Sequence, residues 1–381
     1  MGSAVGALGR LGPESTDHRI KCSYTVKLEP SASGCLMSER ANSGDVRPDA
    51  SRLGRSPHRW LRRTGTSLTV VLAAAGVAGI RQFFFGAPGI GHFRDAEGRR
   101  IYVEAYDRAM SALPPPTTTR DIVTRFGSVR VYEWFSGGAD GAVPVVLIPG
   151  MSSGVPMWAD NLGTFLPRRR VLAFDALGDA GLSIQSVPLC SSAQQALWIS
   201  EVLDELAPEG THVVGHSFGG ASAAAYAHRF PERVRSLTLL EPVFTFAYPP
   251  VRMLAWAMVS TVPFLPESWH NTALGKLGGA EFDPNDDMAK MIAAASEHFS
   301  AQLPTPSPLN DAALTSLVMP TYVAIAERDS LAGGRSAAER AHRLPNATVD
   351  IVPDTTHSLP MQAKDFLAVK LPEFWCDAER E

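Results

Sequence analysis

Residues 211–220 read THVVGHSFGG. The run leading in is largely apolar or β-branched, as suits a buried strand. The run leading out, ASAAAYAHRF from Ala221, is rich in alanine, the strongest helix former. Between them stands Gly215–His216–Ser217–Phe218–Gly219, a G-x-S-x-G pattern. On a strand–turn–helix the serine occupies a sharp turn, and its hydroxyl is pushed out above the sheet edge. The flanking glycines follow from sterics, because a Cβ at either place would collide with the neighbouring strand or helix. Gly220 and the alanines after it let the helix approach the sheet closely. A helix starting beneath the serine also offers N–H groups and a dipole that favour negative charge. A bare five-residue pattern occurs by chance in glycine-rich chains. The strand before it and the helix after it give it weight.

From Asp121 onward, β-rich runs alternate with helical patterns. DIVTRF and VRVYEWF suggest a hairpin around Gly127, and VPVVLIPG is a continuous apolar run, as a strand buried on both faces should be. RRVLAFD, SLTLLEP, TYVAIAERD and ATVDIVPD follow. Helices are expected over Gly91–Leu113, with Ile101, Val103, Tyr106, Met110 and Leu113 near one side, and after Ser191–Ser192–Ala193–Gln194, which offers a capping box. Further helices are expected over Phe218–Phe230, Arg335–Leu344 and Gln362–Trp375. This alternation predicts an α/β fold with a mostly parallel sheet and helices on both faces. Residues 91–120 form a leading helix and linker, and 121–242 with 320–381 form the core. Residues 243–319 separate two strands by far more than an ordinary crossover. They begin with an apolar, proline-punctuated stretch and then turn polar, so a lid over the site is expected there; the alternative is a helical hairpin that only packs on the sheet.

The chain has 381 residues, 45% hydrophobic, with a formal net charge of −4. That mildly acidic balance gives no support for nucleic-acid binding. Cys22, Cys35, Cys190 and Cys376 show neither CxxC nor metal-ligand spacing, so no disulfide framework or metal site is expected; the chemistry of a serine nucleophile calls for no cofactor. Residues 1–63 are rich in Ser, Gly, Arg and Pro and read as a disordered extension. An apolar segment lies in 64–90. Its strongly apolar part, Leu68–Ile80, is shorter than the ~17–25 residues of a spanning helix. Membrane association through 64–85, a signal-type segment and a packed helix are therefore all open. A cytoplasmic location is favoured, with N-terminal membrane association as the alternative, and the oligomeric state is not legible.

A serine hydroxyl needs a base to act as a nucleophile. His357, in IVPDTTHSLP, lies past the last strand and before the last helix. An acid is then sought between serine and histidine. Asp329, in VAIAERDSLAG, is the first choice, and Glu241, which ends the strand after the serine helix, is the rival. Asp175 ends an earlier strand and is expected to organise its own turn, and Asp354 to shape its own loop. His216 is expected to point away from the serine. The oxyanion donors are expected to be the N–H groups of Phe218, directly after the serine, and of Met151, in the loop after VVLIPG.

LIPGMSSG, FDALGDAGLS, GHSFGG, AERDSLAG and TTHSLP, in that order, resemble the α/β-hydrolase superfamily over about residues 121–375, and within it bacterial esterase-like members. The resemblance implies an eight-stranded, mostly parallel sheet with a helical lid after the sixth strand. It implies Ser217 as nucleophile, His357 as general base and acid, Asp329 as the group orienting the imidazole, and the Met151 and Phe218 amides as oxyanion donors. Pro149 departs from the histidine that many members carry before the glycine. The expected activity is hydrolysis of a small, lipophilic ester or thioester through an acyl-enzyme. The alternatives are carbon–carbon hydrolysis, perhydrolysis or acyl-chain release by the same triad, or a non-catalytic binding protein.

Overall fold

The structure, a computed structural model, describes residues 86–135, 142–261, 265–279, 283 and 285–380. The expected extension over 1–63 and the apolar segment up to residue 85 lie outside the described residues. Among the described residues no helix is long and apolar enough to cross a membrane.

Eight strands make the main path of the sheet. They are β1 Thr118–Thr124, β2 Gly127–Trp134, β3 Val145–Ile148, β4 Val171–Phe174, β5 Thr211–His216, β6 Val234–Leu240, β7 Thr321–Ala326 and β8 Ala347–Val352. Their order is β8-β7-β6-β5-β3-β4-β2-β1. Pairing is parallel from β8 to β4, and the β1–β2 hairpin adds the antiparallel edge. A ninth, two-residue strand at Ile184–Gln185, not foreseen in the sequence, pairs with the start of β2.

The continuous apolar strands have a simple cause. Side chains alternate across a strand, so a sheet covered on both faces needs apolar residues at every position. In β3, Val146 and Ile148 join one core with Trp198 and Tyr226, while Val145 and Leu147 join the other with Tyr102, Trp158 and Trp375. The helices supplying those aromatics are α1 Ala96–Met110, α3 Ser192–Leu206, α4 Phe218–Arg229 and α11 Lys364–Ala378, and Trp158 precedes α2 Ala159–Phe165.

Two local expectations need correction. Helix α1 begins later than Gly91, because Asp95 caps it: its Oδ1 accepts the Gly98 N–H at 2.7 Å. The buried face of α1 is Tyr102, Ala105, Tyr106 and Ala109, while Ile101, Val103 and Met110 are only partly covered. At α3 the capping box does not form. Ser191 gives no side-chain cap bond, and Gln194 Oε1 accepts the Cys190 N–H at 2.6 Å instead of the Ser191 N–H.

The long interval between β6 and β7 carries α5 Val251–Thr261, α6 Glu267–Gly278, α7 Asp287–His298 and α8 Asp311–Ser316. Helix α7 packs on α1, and Gly98 is needed there because its Cβ would lie 2.7 Å from the Cβ of His298. Helix α9, Gly334–Ala341, lies between β7 and β8, and the short α10, Leu359–Gln362, precedes α11.

Candidate active site

The carboxyl ends of the parallel strands share one rim, and non-glycine residues with left-handed backbone collect there. Ser152 (φ 62°), Ser217 (φ 55°), Glu241 (φ 47°), Phe244 (φ 56°), Asp329 (φ 46°) and Asp354 (φ 58°) all follow strand ends. Such conformations cost of order 1–3 kcal/mol each and persist where the surroundings impose them. At Ser217 the surroundings are the two glycines. A Cβ on Gly215 would lie 2.4 Å from the Gly219 carbonyl oxygen, and one on Gly219 would lie 2.3 Å from the carbonyl oxygens of Ile148 and Pro149. The turn can therefore be this tight only without side chains at 215 and 219.

Ser217 Oγ lies 2.9 Å from His357 Nε2. His357 arrives on the loop after β8, and its Nδ1 lies 3.1 Å from Glu241 Oε2. A carboxylate only accepts, so Nδ1 carries the hydrogen and Nε2 presents its lone pair to the serine hydroxyl. Ser217 is 7% exposed and Glu241 fully buried.

The acid is where the geometry departs from the first expectation. Asp329 does not meet His357; its Oδ1 pairs with Arg252 at 2.7 Å, and both side chains are largely open to solvent. Glu241, the rival named from sequence, occupies the place beside the imidazole. The physical reason is reach. Glu241 follows β6 immediately, and β7 alone separates β6 from β8 in the sheet. The carboxylate extends across the end of β7, where the chain around Asp329 receives it. Glu241 Oε1 accepts from Ala326 N–H (2.8 Å) and Ser330 Oγ–H (2.7 Å). Glu241 Oε2 accepts from Leu331 N–H (3.1 Å) and Ala332 N–H (3.3 Å). The segment AERDSLAG thus encloses the acid of another strand while turning its own aspartate outward.

His216 packs against His357. Its Nε2 lies 2.9 Å from the His357 carbonyl oxygen, and the two rings are 4.9 Å apart. Burial pushes the His216 imidazole down to about 3, with the nearby His357 adding to the effect. A neutral ring donating from Nε2 follows. Thr356 and Ser358, on either side of His357, both donate to the Gly278 carbonyl at the end of α6, at 2.9 and 2.7 Å.

Met151 and Phe218 line one small cavity beside the serine, together with Pro149, Asp179, Trp198 and Leu303. Phe218 opens α4, and Met151 follows Gly150 past the end of β3. Asp175 binds its own loop through the Leu182 N–H (2.8 Å), and also takes the Val155 N–H (3.1 Å) and the Tyr106 hydroxyl (3.0 Å to Oδ2). Asp354 is exposed, and its N–H bonds Glu327 at 3.0 Å. Among the described residues no group of three or more His, Cys, Asp or Glu side chains could hold a metal ion.

This arrangement stands in a known company. The sequence profile of the alpha/beta hydrolase family matches residues 145–369, more than half of the chain. The chain belongs to the alpha/beta hydrolase family. It is 26% identical over 287 residues to carboxylesterase YbfK of Bacillus subtilis, covering 73% of this α/β hydrolase and 94% of that protein. The crystal structure of that carboxylesterase superposes with a TM-score of 0.68 at 25% identity, over 74% of this chain and 99% of the other. The naproxen esterase of the same organism shares the fold, with a TM-score of 0.68 at 23% identity over 74% of this chain and 99% of the other.

Proposed function

We propose that this α/β hydrolase cleaves a carboxylic ester of a small lipophilic substrate, with Ser217 as nucleophile, His357 as base and acid, and Glu241 as the acid that orients the imidazole. The observation that carries the reading is the unbroken line from Ser217 Oγ through His357 to Glu241, at 2.9 and 3.1 Å. The likeness to carboxylesterase YbfK over nearly its whole length supports ester cleavage.

The steps follow from the atoms present. His357 Nε2 takes the Ser217 proton as Oγ attacks the ester carbonyl, and charge develops on the carbonyl oxygen. The N–H groups of Met151 and Phe218 receive that charge; one such donor is worth ~2.7–4 kcal/mol in the transition state. The imidazolium formed is stabilised by Glu241, which also keeps Nδ1 protonated, so Nε2 can hand its proton to the leaving alcohol oxygen. Water then attacks the acyl-enzyme with His357 again as base, releasing the acid and restoring Ser217.

The cavity lined by Met151 and Phe218 supports the lipophilic part of this reading. Ile148, Pro149, Trp198, Leu303, Pro304 and Pro306 line it, so burial of an apolar substrate group is favoured. Three of those residues come from 243–319, which supports a lid role for that interval. A panel of p-nitrophenyl acyl esters tests the reading. The wild type should turn over, and Ser217→Ala should lower kcat by about 10⁵-fold or more. Mass spectrometry after a rapid acid quench should find the acyl group on Ser217. Wild-type turnover in Ser217→Ala would contradict the mechanism.

A further inference from the structure

One buried acid has no place in those steps. Asp179 lies in the loop after β4, is 4% exposed, and lines the cavity beside Met151 and Phe218. Its Oδ2 accepts the Ser152 N–H at 2.7 Å, and its Oδ1 accepts the Ala180 N–H at 2.8 Å. Both oxygens are thus committed to backbone, one of them to the residue directly after Met151.

The loop geometry shows what that bond does. The Gly150 carbonyl is gripped by Ser153, whose Oγ–H donates at 2.7 Å and whose N–H donates at 3.3 Å. In a trans peptide the C=O and the next N–H point in opposite directions. Drawing the Gly150 oxygen toward Ser153 therefore turns the Met151 N–H the other way. The turn that lets Ser153 reach back passes through Ser152, in the left-handed region at φ 62°. A serine gains nothing intrinsic from that conformation, and the bond to Asp179 is what secures the Met151–Ser152 peptide. Farther along, Asp175 takes the Val155 N–H at 3.1 Å, so two carboxylates of FDALGDAG anchor the same loop.

We propose that Asp179 is a positioning residue for the oxyanion loop: its carboxylate clamps the Ser152 amide and so fixes the direction of the Met151 N–H. The proposal rests on the reading of Ser217 as the nucleophile of an ester hydrolase. It also accounts for an acid in an unfavourable place. Burial pushes Asp179 up to about 7, against the pull of the Ser152 and Ala180 amides, and the neighbouring Asp175 raises it further. The buried phenol of Tyr102 feels both carboxylates. A buried acid whose ionised form is disfavoured, set in a cavity wall beside the oxyanion loop, fits a task at the reaction centre.

The test compares Asp179→Ala and Asp179→Asn with the wild type and Ser217→Ala. A mispositioned donor costs transition-state binding and leaves the bound ester nearly unaffected. In Asp179→Ala, kcat should fall about 10–100-fold with KM changed by less than about 3-fold. Affinity for a trifluoromethyl ketone, which becomes tetrahedral on Ser217, should fall in proportion to kcat/KM. Affinity for a non-cleavable ether analogue, which has no carbonyl oxygen to meet the oxyanion donors, should stay within about 3-fold. Asp179→Asn keeps one acceptor oxygen for two amides and should recover part of the loss. If Asp179→Ala does not fold, Asp179→Asn still shows the parallel loss of kcat and ketone affinity in smaller measure. Retained kcat, or equal loss of ether and ketone affinity, in the folded variants would overturn the proposal. Turnover retained in Ser217→Ala would instead overturn the reading of the nucleophile, so the two failures are distinct.

Discussion

Two strand ends, those of β6 and β7, each carry an acid on the same rim, and they treat it oppositely. Glu241 at the end of β6 is fully buried, with four donors on its two oxygens besides His357. Asp329 beyond β7 is 43% exposed and meets a single surface arginine. The two belong to one device. The backbone that would have presented Asp329 to the histidine is spent on cradling Glu241, through Ala326, Ser330, Leu331 and Ala332. An acid is recruited to a site by the donors that surround it, and proximity along the chain to the base is not enough.

The tight side of this contrast breaks first. Gly219→Ala would set a Cβ 2.3 Å from two backbone oxygens, which no rotamer can relieve. Overpacking against backbone costs about 3 kcal/mol or more, so we expect a loss of soluble, active protein, read by thermal melts and esterase assay. Removing a donor from the cradle is milder. Ser330→Ala deletes the hydroxyl bonded to Glu241 at 2.7 Å and should lower kcat about 10-fold while thermal stability falls by roughly 1–2 kcal/mol. A normal kcat would show that the cradle does not act on catalysis.

A pH experiment sharpens the picture of buried acids. Asp179, raised to about 7 in the folded chain, binds more protons folded than unfolded between about pH 4 and pH 7. Wild-type stability from this group is full below the unfolded value and is lost as pH rises through 7. Asp179→Asn lacks that loss, so its melting temperature relative to wild type should climb by several degrees from pH 4 to pH 7 and then level off. A flat difference would contradict it. The smallest effect belongs to the open side. Arg252→Ala should leave kcat/KM within about 2-fold, since exposed ion pairs contribute ~0–1 kcal/mol.

How far the sequence could take this is clear from particular residues. The strands showed because a doubly covered parallel sheet demands apolar residues at every position, as in Val145–Ile148. Ser217 showed because only a chain with Gly215 and Gly219 can make that turn, and His357 because it follows the last strand. The choice between Glu241 and Asp329 was not legible, since both end on the rim and the cradle decides; three of its four donors are backbone N–H groups, which leave no mark in side-chain identity. Asp179 stood inside the quoted FDALGDAG, but its bond to Ser152 joins loops after different strands. The helical interval 243–319 announced itself by length, while its grip on the His357 loop through the Gly278 carbonyl had no sequence signal.

The direct test of the account is the kcat/KM of Glu241→Ala beside that of Asp329→Ala, on one p-nitrophenyl ester, with both proteins shown to be folded. We expect Glu241→Ala to lose about 10³–10⁴-fold and Asp329→Ala to stay within about 3-fold of wild type. The reverse ranking would contradict the assignment of Glu241 as the acid that orients His357.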